Sequence, residues 1–329
     1  MKRRELLKTA AYTTLSGIAA GQMPFAFADN KASTLSTVWG APVAPAVLLG
    51  VAARQGQLYK THPYKVKVWK TPDQLRAAVA NGTMPVTMVP SYVAANFSNR
   101  GKDVVLANIM TFGLLQMVAH DNKLDSIEDL VGKSIVMPFK NDMPDLVLQI
   151  LCKNAGVDFA ALKVQYVTTP PEAMALFLKQ RVELAFLPEP MTTGAIFKGK
   201  MTGQKVVRAL DFQKEWGRVM KTKPRIPQAG MQIDRNFYQA NKPVINQLLD
   251  DISAAAVWID NNPQSAAEIG TNYLPLPKPI LAAALPNAYL TGTRTADIAD
   301  EILFFFEQMY QLNPKIVGGK MPSKALFNL

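Results

Sequence analysis

The side chains best placed to do chemistry in this chain cluster in one turn, Phe139-Lys140-Asn141-Asp142-Met143. An apolar run, Ser134 to Met137, precedes it, and Leu146, Val147, Ile150, Leu151 and Ala155 recur after it at helical spacing. The turn therefore lies at the carboxyl end of a strand and the start of a helix. Asn141 or Asp142 can cap that helix, Pro144 is tolerated in its first turn, and Gly156 lies just past its end. A helix start presents unpaired N–H groups and partial positive charge, and open α/β sheets bind ligands beyond the carboxyl ends of their strands. If the chain holds a small molecule, Phe139 to Met143 should touch it. The plainer alternative is one βα turn among several, polar only because turns are.

Catalytic residues are harder to find. Cys152 is the sole cysteine and sits inside the same helix, His62 stands before Pro63, and His120 ends a strand. No nucleophile and base fall within motif spacing of each other. The expectation is no catalytic residue, no metal, no cofactor and no intramolecular disulfide, with Cys152 a buried structural thiol. Of the 329 residues, 49% are apolar and 19% charged, the composition of an ordered globular protein of about two domains at ~150 residues each. The formal charge is +11. No basic run interleaved with aromatics appears, so nucleic acid is not an expected partner, and solubility accounts for the charge.

Met1-Lys-Arg-Arg-Glu-Leu-Leu-Lys8 is basic, the stretch to Ala20 is uncharged and moderately apolar, and Ala26-Phe27-Ala28 supplies small residues for a cut before Asp29. Residues 1–28 read as a signal peptide. Lys2 to Lys8 resembles the twin-arginine export signal, with Lys2 where Ser or Thr is usual and Leu6 where Phe is commonest. Removing it takes four cations and one anion and lowers the charge from +11 to +8. No other stretch approaches the ~20 apolar residues of a membrane span, so a soluble, periplasmic mature protein is expected.

The elements that must position the turn follow a repeated pattern. Strands over 34–39, 64–69, 86–89 and 104–110 alternate with helices over 44–54, 72–80 and 91–100, a βαβαβαβ order. From Leu114 a second unit begins, and Met84 to Tyr92 aligns with Val182 to Pro190 at an offset of 98 residues, each an apolar strand ending in proline. Two such lobes face each other with their strand ends pointing inward, which makes Ser91, Tyr92 and Glu189 cleft candidates. Lobe one comprises 29–113 and, after a return near Gln228, the mainly helical 228–329. Lobe two comprises 114–227. The C-terminal helices, including Ile298 to Tyr310 with Phe304, Phe305 and Phe306, are expected outside lobe one.

Asp125-Ser-Ile-Glu-Asp-Leu-Val-Gly-Lys-Ser-Ile135 with the Met137-Pro138 turn resembles the lobe-two opening of ABC-importer substrate-binding proteins of the nitrate/sulfonate/taurine group, which includes pyrimidine-synthase-like proteins. Val182-Glu-Leu-Ala-Phe-Leu-Pro-Glu-Pro190 is similar to that group's strand before an acidic-Pro turn, and Asn81-Gly82 through Pro90 to its lobe-one counterpart. Pro85 departs from the pattern, standing where the group often has an acidic residue. The resemblance implies an α/β, two-lobed type II periplasmic-binding fold, each lobe a mostly parallel sheet flanked by helices. It also implies capture of a small polar molecule for a membrane ABC permease, by a monomer. The contacts it implies are Trp39, Gly40, Ala41, Ser91, Tyr92, the crossing at Thr111, Phe139, Lys140, Asn141, Asp142, Met143, Glu189 and Gln228. Lys140 and helix starts favour an anion while Asp142, Asp145 and Glu189 oppose one, so a sulfonate, a carboxylate and a heterocycle all stay open. Two alternatives stand beside the importer reading: an enzyme on the same fold, pyrimidine-synthase-like or desulfinase-like, and a binding protein serving a sensor.

Overall fold

Short apolar runs bounded by Gly and Pro become the strands of two sheets in the computed structural model, which describes residues 34–329; the expected signal peptide lies outside the described residues. The first sheet contains β1 (Thr37–Gly40), β2 (Lys65–Val68), β3 (Val86–Pro90) and β4 (Val104–Thr111). The second contains β5 (Leu115–His120), β6 (Ser134–Pro138), β7 (Lys163–Val167), β8 (Leu184–Pro188) and β9 (Val206–Asp211), after which β10 (Ala229–Asp234) and β11 (Leu290–Arg294) return to the first. β3, β4 and β8 are apolar along most of their length because both faces are covered by helices or loops.

The strand orders are β11-β4-β10-β3-β1-β2 and β7-β6-β8-β5-β9. β2, β1 and β3 pair in parallel, as do β7, β6 and β8. The strands next to a crossing between sheets pair antiparallel: β10 inserts between β3 and β4, and β5 between β8 and β9. Most strands of each sheet still run one way, and residues at or just beyond the carboxyl ends of β1, β2 and β3 share a cavity with those of β6 and β8. The architecture is the expected α/β fold, with mixed sheets.

Two neighbouring segments carry the chain between sheets. Ile226 N–H donates to the Phe112 carbonyl (2.7 Å) and Gln228 N–H to the Thr111 carbonyl (3.3 Å), so the outward and return crossings lie side by side. Gly113 adopts φ 134°, and a Cβ there would stand 2.1 Å from Gln213 Cγ. Both the backbone angle and the contact require glycine.

The C-terminal helices differ from expectation. Helix Ala299–Leu312 packs on helix Met143–Ala155, and Phe304 and Phe305 meet Trp216 edge to face at 6.4 and 5.4 Å, while helix Lys278–Ala284 lies against helix Met191–Met201. They thus cover elements of the second sheet as well as the first. The apolar stripe is a core stripe as expected, but periodicity alone does not say which partner it covers. The short turn Ile127–Leu130 opens on a capping box, with Ser126 as N-cap and Asp129 accepting from Ser126 N–H (3.1 Å).

Candidate ligand-binding cleft

Where the two sets of strand ends meet, a cavity of about 80 Å³ is walled from both sheets. The first sheet contributes Ala41 beyond β1, Trp69 beyond β2, Met88 and Pro90 from β3, and Pro72, Leu75 and Arg76 from helix Pro72–Ala80. The second contributes Pro188 at the end of β8 and Phe139, Asp142, Met143 and Pro144 from the turn after β6. Leu114, Leu115, Gln228 and Ala229 close it at the crossings.

The turn is held in an unusual backbone. Phe139 and Asn141 adopt φ 64° and 60°, the left-handed region that non-glycine residues enter at a cost of roughly 1 kcal/mol or more each. The protein's own carboxylates hold it there. Asp145, fully buried, accepts from Asn141 N–H (2.7 Å), Gln149 Nε2 (2.9 Å) and the Tyr166 hydroxyl (2.9 Å). Asp142 is the helix N-cap and accepts from Met143 N–H at 2.8 Å.

Asp142 also reaches across the cleft. Its Oδ1 accepts from the Tyr92 hydroxyl (2.7 Å) and its Oδ2 from Arg76 Nη2 (2.9 Å), both carried by first-sheet helices. Burial pushes the Tyr92 hydroxyl far above its ordinary value, with the Asp142 charge adding to the rise, so Tyr92 remains a donor. Burial alone would lower Arg76, but Asp142 and Tyr92 together hold it above its usual value. Further bonds between the halves run from Ala44 N–H to the Glu189 carbonyl (3.2 Å) and from the Tyr289 hydroxyl to Asp211 (2.8 Å).

Of the residues expected to contact a ligand, Ala41, Phe139, Asp142, Met143 and Gln228 line this cavity, and Tyr92 stands behind Asp142. The others are placed elsewhere. Trp39 lies under the Lys67 ammonium (5.4 Å) in a separate groove with Val68 and Tyr273, two residues before the Ala41 that reaches the cavity. Gly40 packs on helix Pro45–Gln55, where a Cβ would meet Leu49 at 3.1 Å. Ser91 donates to the Pro227 carbonyl (2.6 Å) and Thr111 to that of Ala288 (2.7 Å), so both hydroxyls are spent on holding the crossings. Lys140 lies over the Tyr166 ring at 5.2 Å, and Asn141 is exposed. Glu189 turns inward: fully buried, it accepts from Arg208 Nη2 (2.5 Å) and from Thr193 N–H and Oγ1 (3.1 and 2.8 Å).

Arg76 and Trp69 went unnoticed in the sequence. Both follow β2, and the rule that ligands bind beyond strand ends, applied at Thr71-Pro72 as it was at Phe139, would have singled them out. Trp69 is fixed by its indole N–H donating to the Met88 carbonyl (3.1 Å). Cys152 is buried, and burial pushes its thiol up to about 12. Among the described residues no group of three or more His, Cys, Asp or Glu could hold a metal, and no helix is long and apolar enough to cross a membrane.

No protein-family model matches the chain, and no curated protein matches it significantly. Solved structures do. An ABC transporter protein from Parabacteroides distasonis superposes with a TM-score of 0.75 at 17% identity, covering 90% of this chain and 99% of that one. The periplasmic aliphatic sulphonate-binding protein SsuA from Escherichia coli gives 0.67 at 17% identity, with 90% and 100% covered. The periplasmic nitrate-binding protein NrtA from Synechocystis gives 0.67 at 11% identity, with 85% and 82% covered. Two facing sheets joined by paired crossings, together with these matches, identify the fold as that of the type II periplasmic binding proteins, shared with sulphonate- and nitrate-binding proteins.

Proposed function

We propose that the chain is an exported solute-binding protein that captures a small molecule between its two lobes and delivers it to a membrane ABC permease. The observation that carries this reading is the cavity walled by strand ends of both sheets and spanned by Asp142 with Tyr92 and Arg76. Only with the lobes together do both walls touch one ligand, so ligand binding favours the closed form. In this reading residues 1–28 are a twin-arginine signal peptide, 29–113 and 228–329 form lobe one, 114–227 form lobe two, and the mature protein is a periplasmic monomer. The ligand contacts are Ala41, Trp69, Arg76, Phe139, Met143 and Gln228, with Asp142 and Tyr92 holding the walls together.

Binding without turnover is expected, since no described nucleophile stands beside a base: Cys152 is buried and His120 stacks on Phe177 at 4.2 Å. A thermal-shift screen of the purified protein against sulfonates, nitrate, aromatic carboxylates, pyrimidines and polyamines tests it, because a ligand that binds only the folded state raises the melting temperature by mass action. One class of compound should raise it and be recovered unchanged. Consumption of the bound compound would make the protein an enzyme, and a flat response to every class would remove the solute-binding reading.

A further inference from the structure

The chemistry lining the cleft is unlike that of a site built for a free anion. Its walls are the side chains of Trp69, Leu75, Met88, Val93, Leu114 and Met143, which satisfy an apolar body and offer no hydrogen bond into the cavity, the Trp69 N–H being already used. The one cation on the wall, Arg76, is matched by Asp142, whose carboxylate takes three donors. An entering anion would meet a neutral ion pair and the negative end of it. The helix start beyond β6, which could otherwise attract an anion, is occupied by Asp142 and Asp145, which accept the N–H groups of Met143 and Asn141.

One polar group remains unanswered. Gln228 is 5% exposed and lines the cavity; its Oε1 accepts from Leu114 N–H at 3.2 Å, and its amide NH₂ has no partner among the described residues. A donor that borders the cavity without a protein partner is free to be answered by an acceptor on a bound molecule.

We propose that the cleft takes an uncharged, mainly apolar small molecule with a hydrogen-bond acceptor, in the simplest case a carbonyl, that accepts from the Gln228 amide. This rests on the solute-binding reading and names the ligand class within it. Apolar contact supplies the affinity and the single acceptor sets the orientation.

The test uses cyclohexanone as the uncharged probe and cyclohexanecarboxylate, ethanesulfonate and nitrate as anionic ones, each at 10 mM against the purified protein, with melting temperature and calorimetric titration as readouts. Cyclohexanone should raise the melting temperature and the three anions should not. Gln228→Glu keeps the acceptor for Leu114 and removes the donor, so cyclohexanone should bind it about fivefold or more weakly, as expected for one lost hydrogen bond. Gln228→Leu, which introduces no charge, should show the same loss. A larger shift with any of the anions, no shift with cyclohexanone, or unchanged affinity in both variants would overturn the proposal. An anion that binds would leave the solute-binding reading standing, whereas silence across these probes and the wider screen would remove both.

Discussion

Asp142 and Glu189 occupy comparable places in the second sheet and do opposite things. Each follows the carboxyl end of a strand, β6 or β8, each sits at a helix start, and each pairs with an arginine. Glu189 is fully buried and finds Arg208 within its own sheet, with two further bonds to Thr193. Asp142 finds Arg76 and Tyr92 across the cleft, and the Arg76 side chain is 42% exposed. The difference lies in where the partner sits and, to a lesser degree, in solvent access, the Arg208 side chain being 28% exposed. Losing Arg208 leaves a fully buried Glu189 charge within one sheet, whereas parting Arg76 from Asp142 returns the guanidinium to water and leaves Asp142 with the Met143 donor of its own helix. The first suits a fixed scaffold and the second a joint that opens and closes.

The largest expected break is at the sealed pair. Glu189→Ala strands Arg208 beside a buried hole and should lower the unfolding free energy by ~3 kcal/mol or more, read as a fall in the denaturation midpoint. An effect below ~1 kcal/mol would put Glu189 in the same class as Asp142 and erase the contrast.

Asp142→Ala and Arg76→Ala should each cost less, on the order of 1–2 kcal/mol: the part-exposed guanidinium regains water when Asp142 goes, and Asp142 keeps the Tyr92 and Met143 donors when Arg76 goes. Their double-mutant cycle should give a coupling on the order of 1 kcal/mol that shrinks as salt is raised. A salt-independent coupling would mean that the pair is sealed like that of Glu189.

The smallest effect belongs to Tyr92→Phe, at ~1 kcal/mol for one hydrogen bond. Its pH signature is more informative. Because burial and Asp142 raise the Tyr92 hydroxyl above its ordinary value of 10, its contribution is present below pH 10 and is lost as pH rises through the raised value. Wild type should therefore lose stability above pH 10 more steeply than Tyr92→Phe, measured by denaturant unfolding at successive pH values. Parallel curves would place that hydroxyl in solvent.

The same contrast explains what could be read from the residues. Strands, caps and crossings were legible because period, Pro and Gly act locally: helix Pro72–Ala80 begins and ends where expected, and Asp142 caps helix Met143–Ala155. Strand ends also pointed to residues that come together, since Ala41, Phe139, Asp142, Met143 and Gln228 line one cavity. Direction was not legible. Glu189 and Asp142 look alike in sequence, and which one faces the cleft depends on Arg208, 19 residues beyond Glu189, and on Arg76, 66 residues before Asp142. Trp39 and Trp69 present the same difficulty: Trp69, just beyond the end of β2, lines the cavity, while Trp39, still within β1, lines a separate groove, and composition does not tell the two apart. The C-terminal helices carried a clear apolar stripe, yet their contact with the second sheet's helices is a property of the assembled chain.

The account stands on Asp142 being a reversible joint between lobes that close on a ligand. Small-angle X-ray scattering of wild type and the Arg76→Ala/Asp142→Ala double variant, each with and without the compound that raises the melting temperature, addresses this directly. The double variant should have a larger radius of gyration than wild type at unchanged helix content, and the ligand should reduce it toward the wild-type value. Identical profiles for both proteins, with and without ligand, would contradict the account.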